Sequence, residues 1–175
     1  MVSASPDEQP GVDPEAYRAA IGRFATGIAV VTTTSEGSAH AMTVNSLTSV
    51  SLDPVLVLFC AEKVARFHNA VLASGCWAVS ILGEHAESTS RWFAKRGRPL
   101  DAQLSDVRHP PAPLTGAPVL ADAIGVLECH TRAVYDGGDH SIVVGDVLGV
   151  ATPAGPVDPL VHYEGAYRRL VGGGP

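Results

Sequence analysis

"AMTVNSLTSVSLDP", residues 41–54, decides how the rest of the chain is to be read. Half of its residues are Thr, Ser, Asn or Asp, yet Met42, Val44, Leu47, Val50 and Leu52 are threaded through it. Successive residues of a strand face opposite ways. Met42, Val44, Val50 and Leu52 share one parity and are expected in the core, whereas Thr43, Asn45, Ser49 and Ser51 share the other. Leu47 breaks the alternation, which places a kink or bulge near Asn45–Ser46, and bulges are common beside functional sites. The expected product is a ledge of small polar groups backed by apolar packing, suited to a flat heteroaromatic ring edge, a polyol chain or a phosphate. Pattern alone fits a solvent-facing strand at least as well, with the threonines serving β propensity.

On the N-terminal side, Asp13 can cap a helix with Pro14 at its first position, and "PEAYRAAIGRFA" keeps Tyr17, Ile21 and Phe24 on one face up to Gly27. "IAVVTTT" is rich in β-branched residues, and "SEGS" is a hairpin turn leading back into the opening stretch. Beyond Asp53-Pro54, "VLVLFCA" is apolar at both parities, which predicts a central strand. A short helix over "ARFHNAVLAS" closes at Gly75, and "CWAVSIL" is a strand. "EHAESTSRWFAKRG" predicts a helix whose Lys95, Arg96 and Arg98 suit its C-terminal dipole. Residues 99–118 are too proline-rich for a sheet interior. Two long strands, "AIGVLECHTRAVY" and "SIVVGDVLGVA", finish the fold across the turn "DGGDH".

No glycine-rich β-α fingerprint and no βαβ alternation occurs, which argues against a doubly wound dinucleotide fold. About six hairpin-linked strands with short helices between them predict a mainly β protein, a six-stranded antiparallel Greek-key barrel. The 175 residues suit one domain, with a disordered leader over 1–13, the folded domain over 14–171 and a flexible tail over 172–175. A net charge of -6 argues against nucleic-acid or membrane-surface partners. No apolar run approaches the ~20 residues of a membrane span. Cys60, Cys76 and Cys129 form no C-x-x-C pair and are expected as buried, reduced thiols of a cytoplasmic protein. The seven histidines show no metal-ligand spacing, so no metal is expected, and no G-x-S-x-G supports a hydrolase.

With these segments laid out, the chain resembles the flavin reductase family, short reductases built on an FMN-binding split barrel that feed reduced flavin to two-component monooxygenases. The resemblance runs from about Tyr17 to Leu170 and rests on "FATGIAVVTT", "MTVNSLTSVSLDPVLVLFC", "SRWFA", "GDHSIVVGDV" and "PLVHYEGAYRRL", five anchors in order. It implies that the opening stretch wraps the flavin through Thr43, Asn45, Ser46, Ser49, Val50 and Ser51. A second implied contact is the helix start in "CAEKVARFHNA", where Lys63 matches and Arg66 offers a phosphate partner, although Val64 and Ala65 replace the family's usual hydroxyl residues. That departure leaves FMN and FAD both open as the flavin. "SRWFA" supplies Ser90, Arg91 and Phe93 as a third contact.

The resemblance assigns Gly138, Asp139 and His140 of "GDH" to the nicotinamide site, with His140 as the residue that orients NADH or NADPH, and Tyr163 to its vicinity. Read without the family, the same stretch is a hairpin loop with an exposed histidine. The implied reaction is NAD(P)H-dependent flavin reduction by hydride transfer, in a homodimer that serves a separate monooxygenase. A non-catalytic flavin-binding barrel, a store or sensor, is the alternative.

Overall fold

The computed structural model describes residues 11–153 and 157–170. Most of the expected leader and the whole expected tail therefore lie outside the described residues. The first helix, α1 (Pro14–Ile21), is capped by Asp13, whose carboxylate accepts from the Glu15 and Ala16 amides. It ends at Gly22 rather than at Gly27, and Gly27 enters a two-residue strand, β1 (Thr26–Gly27). Tyr17, Ile21 and Phe24 do not pack on the core but stand 58%, 49% and 70% exposed.

Next come β2 (Ala29–Ser35), β3 (Ser38–Val44), β4 (Thr48–Leu52) and β5 (Val55–Glu62). The β2–β3 hairpin turns at Glu36–Gly37, both with positive φ, where glycine at the second position removes a Cβ that the turn would strain. α2 (Arg66–Ser74) stops at Gly75, which adopts the left-handed conformation, and β6 (Cys76–Leu82) follows immediately. After a single 3-10 turn comes α3 (Glu87–Ala94). Two long strands, β7 (Ala123–Gly137) and β8 (His140–Ala151), are joined by a two-residue turn in which Gly138 takes φ 77°. Two short strands, β9 (Val161–Tyr163) and β10 (Ala166–Arg168), complete the chain and pair with β1 in a three-stranded sheet.

The main sheet has seven antiparallel strands in the order β3-β2-β6-β7-β8-β5-β4. The count exceeds six because the stretch from 38 to 52 is two strands and not one. β3 and β4 are neighbours in sequence yet form the two opposite edges of the sheet. Only Asn45, Ser46 and Leu47 separate them. At most ~3.6 Å per residue, that link spans about 14 Å between flanking Cα atoms, so the sheet must curl until its edges nearly meet. The kink expected at Asn45–Ser46 is this crossing.

Val50 and Leu52 correct the parity argument: they are 47% and 85% exposed, whereas Val44 is buried and Met42 packs on the core. The bend at 45–47 re-aims the chain, and a register shift between Ser49 and Ser51 adds a further residue on that strand. The strand buried on both faces is β2, whose first five residues are all buried, and not β5, whose Leu56, Leu58 and Cys60 remain half-exposed. Thr32 and Thr33 tolerate full burial because their hydroxyls donate to carbonyls, Thr33 to Cys76 at 2.7 Å.

Inside the curled sheet, Val31, Phe59, Trp77, Val79 and Val143 pack with Phe67 and Val71 of α2. Phe59 meets Trp77 edge-to-face at 4.8 Å, an arrangement worth about 1 kcal/mol beyond area burial. On the other face of β2, Val30, with Ile28 just before the strand, packs with Phe93 of α3 and with Leu104 and Leu120 from the irregular segment. α2 therefore plugs the sheet from within and α3 covers it from outside, leaving a gap between them at β3.

Candidate functional site

That gap is a cleft of about 700 Å³. Its floor is the end of β3 and the 45–46 link. Its walls are Cys60 and Glu62 of β5, the start of α2, the end of α3 and His140 at the head of β8. The cleft sits on the seam where the sheet's edges approach. β4 pairs with β5 only as far as Leu58, so the next outward main-chain groups of β5 have no strand beside them. The Ser46 hydroxyl takes their place, accepting from Cys60 N at 3.0 Å and lying 3.5 Å from Cys60 O.

Of the residues singled out from the sequence, Thr43, Asn45, Ser46, Arg66, Phe93 and His140 line the cleft together. Ser90 stands behind it, fully buried, its carbonyl accepting from the Thr43 hydroxyl at 2.8 Å and its own hydroxyl 2.9 Å from Tyr167. Arg91 points away. It bonds Glu87 at 2.8 Å one helical turn back and lies 4.5 Å over the Tyr167 ring, clamping α3 to β10. Ser49, Val50, Ser51, Lys63, Gly138, Asp139 and Tyr163 are likewise not on the cleft's wall. Ser51 accepts from Asp53 N at 3.2 Å, and Tyr163 belongs to β9 in the smaller sheet.

Lys63 and Asp139 act one step removed. The Lys63 amide donates to Asp139 O at 3.0 Å and its ammonium pairs with Asp136 at 2.5 Å, which ties the start of α2 to the β7–β8 turn. The Lys63 hydrogen bond holds the Asp136 carboxyl below the usual carboxylate range. Within the turn, His140 Nδ1 lies 2.7 Å from the Asp139 carboxylate. A carboxylate only accepts, so Nδ1 carries the proton of this bond, and in the ring's neutral form Nε2 is left as an acceptor. The same bond holds Asp139 below the usual carboxylate range.

The cleft's strongest charges are the ones that the sequence pattern assigns to the dipole of α3. Lys95, Arg96 and Arg98 all line it beside Arg66, with Glu62 as the opposing carboxylate, paired to Arg96. Helix α3 ends at Ala94, and the following loop carries the basic groups over the gap. Gly97 within "AKRGR" was the available signal that the helix stops early. Arg98 does meet the helix end, donating to Trp92 O at 3.2 Å, Phe93 O at 2.7 Å and Lys95 O, while its other amine donates to Ala41 O of β3 at 2.7 Å. Burial, then Arg66, pushes the Arg98 guanidinium below its usual range. Burial and Arg66 likewise push His40 down. An anion beside Arg98 would offset the Arg66 charge that disfavours its guanidinium. Among the described residues the buried Arg98 Nε has no hydrogen-bond partner. A phosphate-bearing ligand fits this donor set.

The flavin reductase like domain family matches residues 21–171 of this chain. The chain belongs to that family. Among similar proteins is an NADH-dependent FMN reductase of Streptomyces nodosus subsp. asukaensis, 36% identical over 170 residues, covering 96% of this chain and 92% of the relative. The reductase subunit of a flavin-dependent monooxygenase from Mycobacterium tuberculosis is 34% identical and covers 91% of this chain and 83% of its own length. Among solved structures, the flavin reductase component of a bacterial two-component tryptophan halogenase aligns with a TM-score of 0.84 at 40% identity, over 90% of this chain and 98% of that one. In family terms the convergence is compact: three of the quoted anchors, from β3, α3 and β8, meet at one cleft.

Proposed function

We propose that this flavin reductase binds flavin across the seam cleft, takes hydride from a reduced nicotinamide dinucleotide, and releases reduced flavin to a separate monooxygenase. The observation that carries the reading is the meeting of the 43–46 link, the start of α2, the basic loop after α3 and His140 around one cleft. Bound flavin supplies the hydride-accepting N5 and reduced nicotinamide the donating C4, so placement of two rings is the main catalytic task. Arg66, Lys95 and Arg96 hold the phosphate end, Arg98 adds its charge while its amines stay on protein carbonyls, and Thr43, Asn45 and Ser46 hold the polyol and ring edge. Ser49, Val50, Ser51, Lys63, Ser90, Arg91, Phe93, Gly138 and Tyr163 complete the set the family resemblance implies. Of these, Lys63, Ser90 and Arg91 support the cleft through their neighbours.

His140 is the orienting residue. With Nδ1–H held by Asp139, its Nε2 accepts from a carboxamide N–H of nicotinamide and fixes the ring's rotation. The curled sheet is read as the family's split barrel. Its exposed Val50, Leu52 and Val55 on one edge and Leu148 and Val150 of β8 form the face that a second copy covers in a homodimer. None of the described helices is long and apolar enough to cross a membrane. A cytoplasmic location agrees with the unpaired cysteines.

The test is a steady-state assay with NADH or NADPH and FMN, FAD and riboflavin in turn. Flavin-dependent consumption of the nicotinamide is expected. Flavin binding without nicotinamide turnover would replace this reading with a non-catalytic flavin binder. Light scattering of the purified chain, beside Leu52→Asp, checks the dimer: a dimer turned monomer is expected, and a monomeric parent protein refutes it.

A further inference from the structure

The cleft does not end at its basic loop. A second cavity of about 330 Å³ opens where residues 100–109 cross the tip of the β2–β3 hairpin. Leu100 and Gln103 line both cavities, so the two share a wall. Gln103 is buried, and its amide donates to Ala39 O of β3 at 2.7 Å, which fixes the wall to the sheet. Its side-chain oxygen lies 3.5 Å from an Arg98 amine, so the guanidinium stands at the boundary, on the cleft side.

The second cavity has a different chemistry from the first. Its charged group is a carboxylate, Asp101, where the cleft is mostly basic. His109 Nδ1 lies 2.6 Å from Val107 O, and because a carbonyl only accepts, Nδ1 is the donor and the ring in its neutral form offers Nε2 as an acceptor. Ser38 and Ser105 add hydroxyls, and Leu100 and Leu104 add apolar surface. Acceptors beside apolar walls suit a nucleoside, which presents an exocyclic amine and a ribose diol as donors around a flat ring. A phosphate is disfavoured beside Asp101 and belongs on the basic side of the shared wall, near Arg98 with Arg66, Lys95 and Arg96. The volume lies at the lower end of small-ligand pockets, roughly 300–1,000 Å³, which matches half a dinucleotide rather than a whole one.

We propose that the second cavity seats the adenosine half of FAD, with the diphosphate crossing the shared wall at Arg98, so that the protein selects FAD over FMN. This rests on the flavin site proposed above and adds to it a discriminating subsite.

The test is fluorescence or calorimetric titration of the full chain with FAD and FMN, without nicotinamide. FAD is expected to bind at least about tenfold more tightly, a difference of about 1.4 kcal/mol. Ser105→Trp fills the cavity from an exposed position and is expected to bring the FAD affinity down to that of FMN while FMN is unchanged. Asp101→Ala, also at an exposed side chain, is the second variant, with FAD weakened about threefold or more and FMN unmoved. Equal affinities for FAD and FMN in the parent protein would overturn the proposal, as would equal loss of both in the variants. A rise in the KM for NADH with FMN as acceptor, and no change in FAD affinity, would give the cavity to the nicotinamide dinucleotide and also overturn it. FMN binding and FMN-supported NADH oxidation report on the reductase reading separately, since neither needs the second cavity.

Discussion

Arg98→Ala is the perturbation that bears on fold and site together. One guanidinium caps the carbonyl end of α3 and, through its second amine, holds Ala41 of β3, so it fastens the outer helix to the edge of the sheet. Charge-assisted hydrogen bonds contribute about 1.5–3 kcal/mol each when well shielded. Arg98 is half-buried, and water can replace part of what is lost, so the four acceptors together are discounted to a loss of about 3 kcal/mol. For a chain of this size that corresponds to a fall of roughly 6–12 °C in the unfolding midpoint. Arg98→Lys keeps the charge but cannot fork between helix and strand. It should recover part of the flavin affinity and little of the stability. Thermal and urea unfolding, alongside flavin titration, read both. A midpoint for Arg98→Ala within about 1 °C of the parent would refute the fastening role, since even one lost charge-assisted bond exceeds it.

Asp139→Asn should raise the KM for nicotinamide at least severalfold while flavin affinity stays level, because the amide can donate to Nδ1 and free the other tautomer; steady-state kinetics with direct flavin titration checks the split, and equal changes would remove Asp139 from the placing of His140. Burial, then Glu128 and Asp146, pushes the Cys129 thiol up to about 12 from an ordinary 9.0. An acid whose folded value is raised adds stability that is whole below its unfolded value and lost as pH rises, so between pH 9 and 12 stability should fall by up to about 1.4 kcal/mol per unit, a slope that Cys129→Ala removes in urea unfolding. A Cβ at Gly145 would stand 2.4 Å from the buried Trp77 ring, so Gly145→Ala should cost about 1–3 kcal/mol and alter the near-ultraviolet signal of that tryptophan; an unchanged melt would mean the barrel interior yields more easily than its packing suggests.

What was legible in the sequence follows a physical line between local and distant rules. The Glu36–Gly37 hairpin, α2 with its Gly75 stop, the β6 strand and the Gly138–Asp139 turn rest on residues adjacent in the chain, and each appears where the pattern puts it. Parity failed at Val50 and Leu52 because an alternation persists only while the backbone stays straight, and a three-residue crossing with a bulge after it resets the faces. Glu128 shows the same limit from another side. Alternation puts it in register with His130 and Arg132, yet it is buried, accepting from the Leu114 and Thr115 amides at 2.8 Å each and so holding the proline-rich segment against β7. Nothing near Glu128 in sequence announces that partner. Within the cleft, the quoted motifs were visible as motifs, but the second basic group beside Arg66 depended on where α3 ends, and the roles of Ser90 and Arg91 as braces depended on Tyr167, some 77 positions further along from Ser90.

The seam has a consequence for how the protein behaves when empty. A closed sheet shares load around its whole circumference, but here the circle is completed at one place by a serine hydroxyl and a link of three residues. A molecule that fills the cleft would reach β3 on one side and Cys60 and Glu62 of β5 and His140 of β8 on the other. It therefore serves as the missing rung of the ladder, and its binding energy is added to the closure of the fold by mass action. Flavin arrival and departure would then be felt as the tightening and slackening of a hoop. Amide exchange along β3 and at Cys60, rather than at the distant β6–β7 ladder, is where that breathing should be seen.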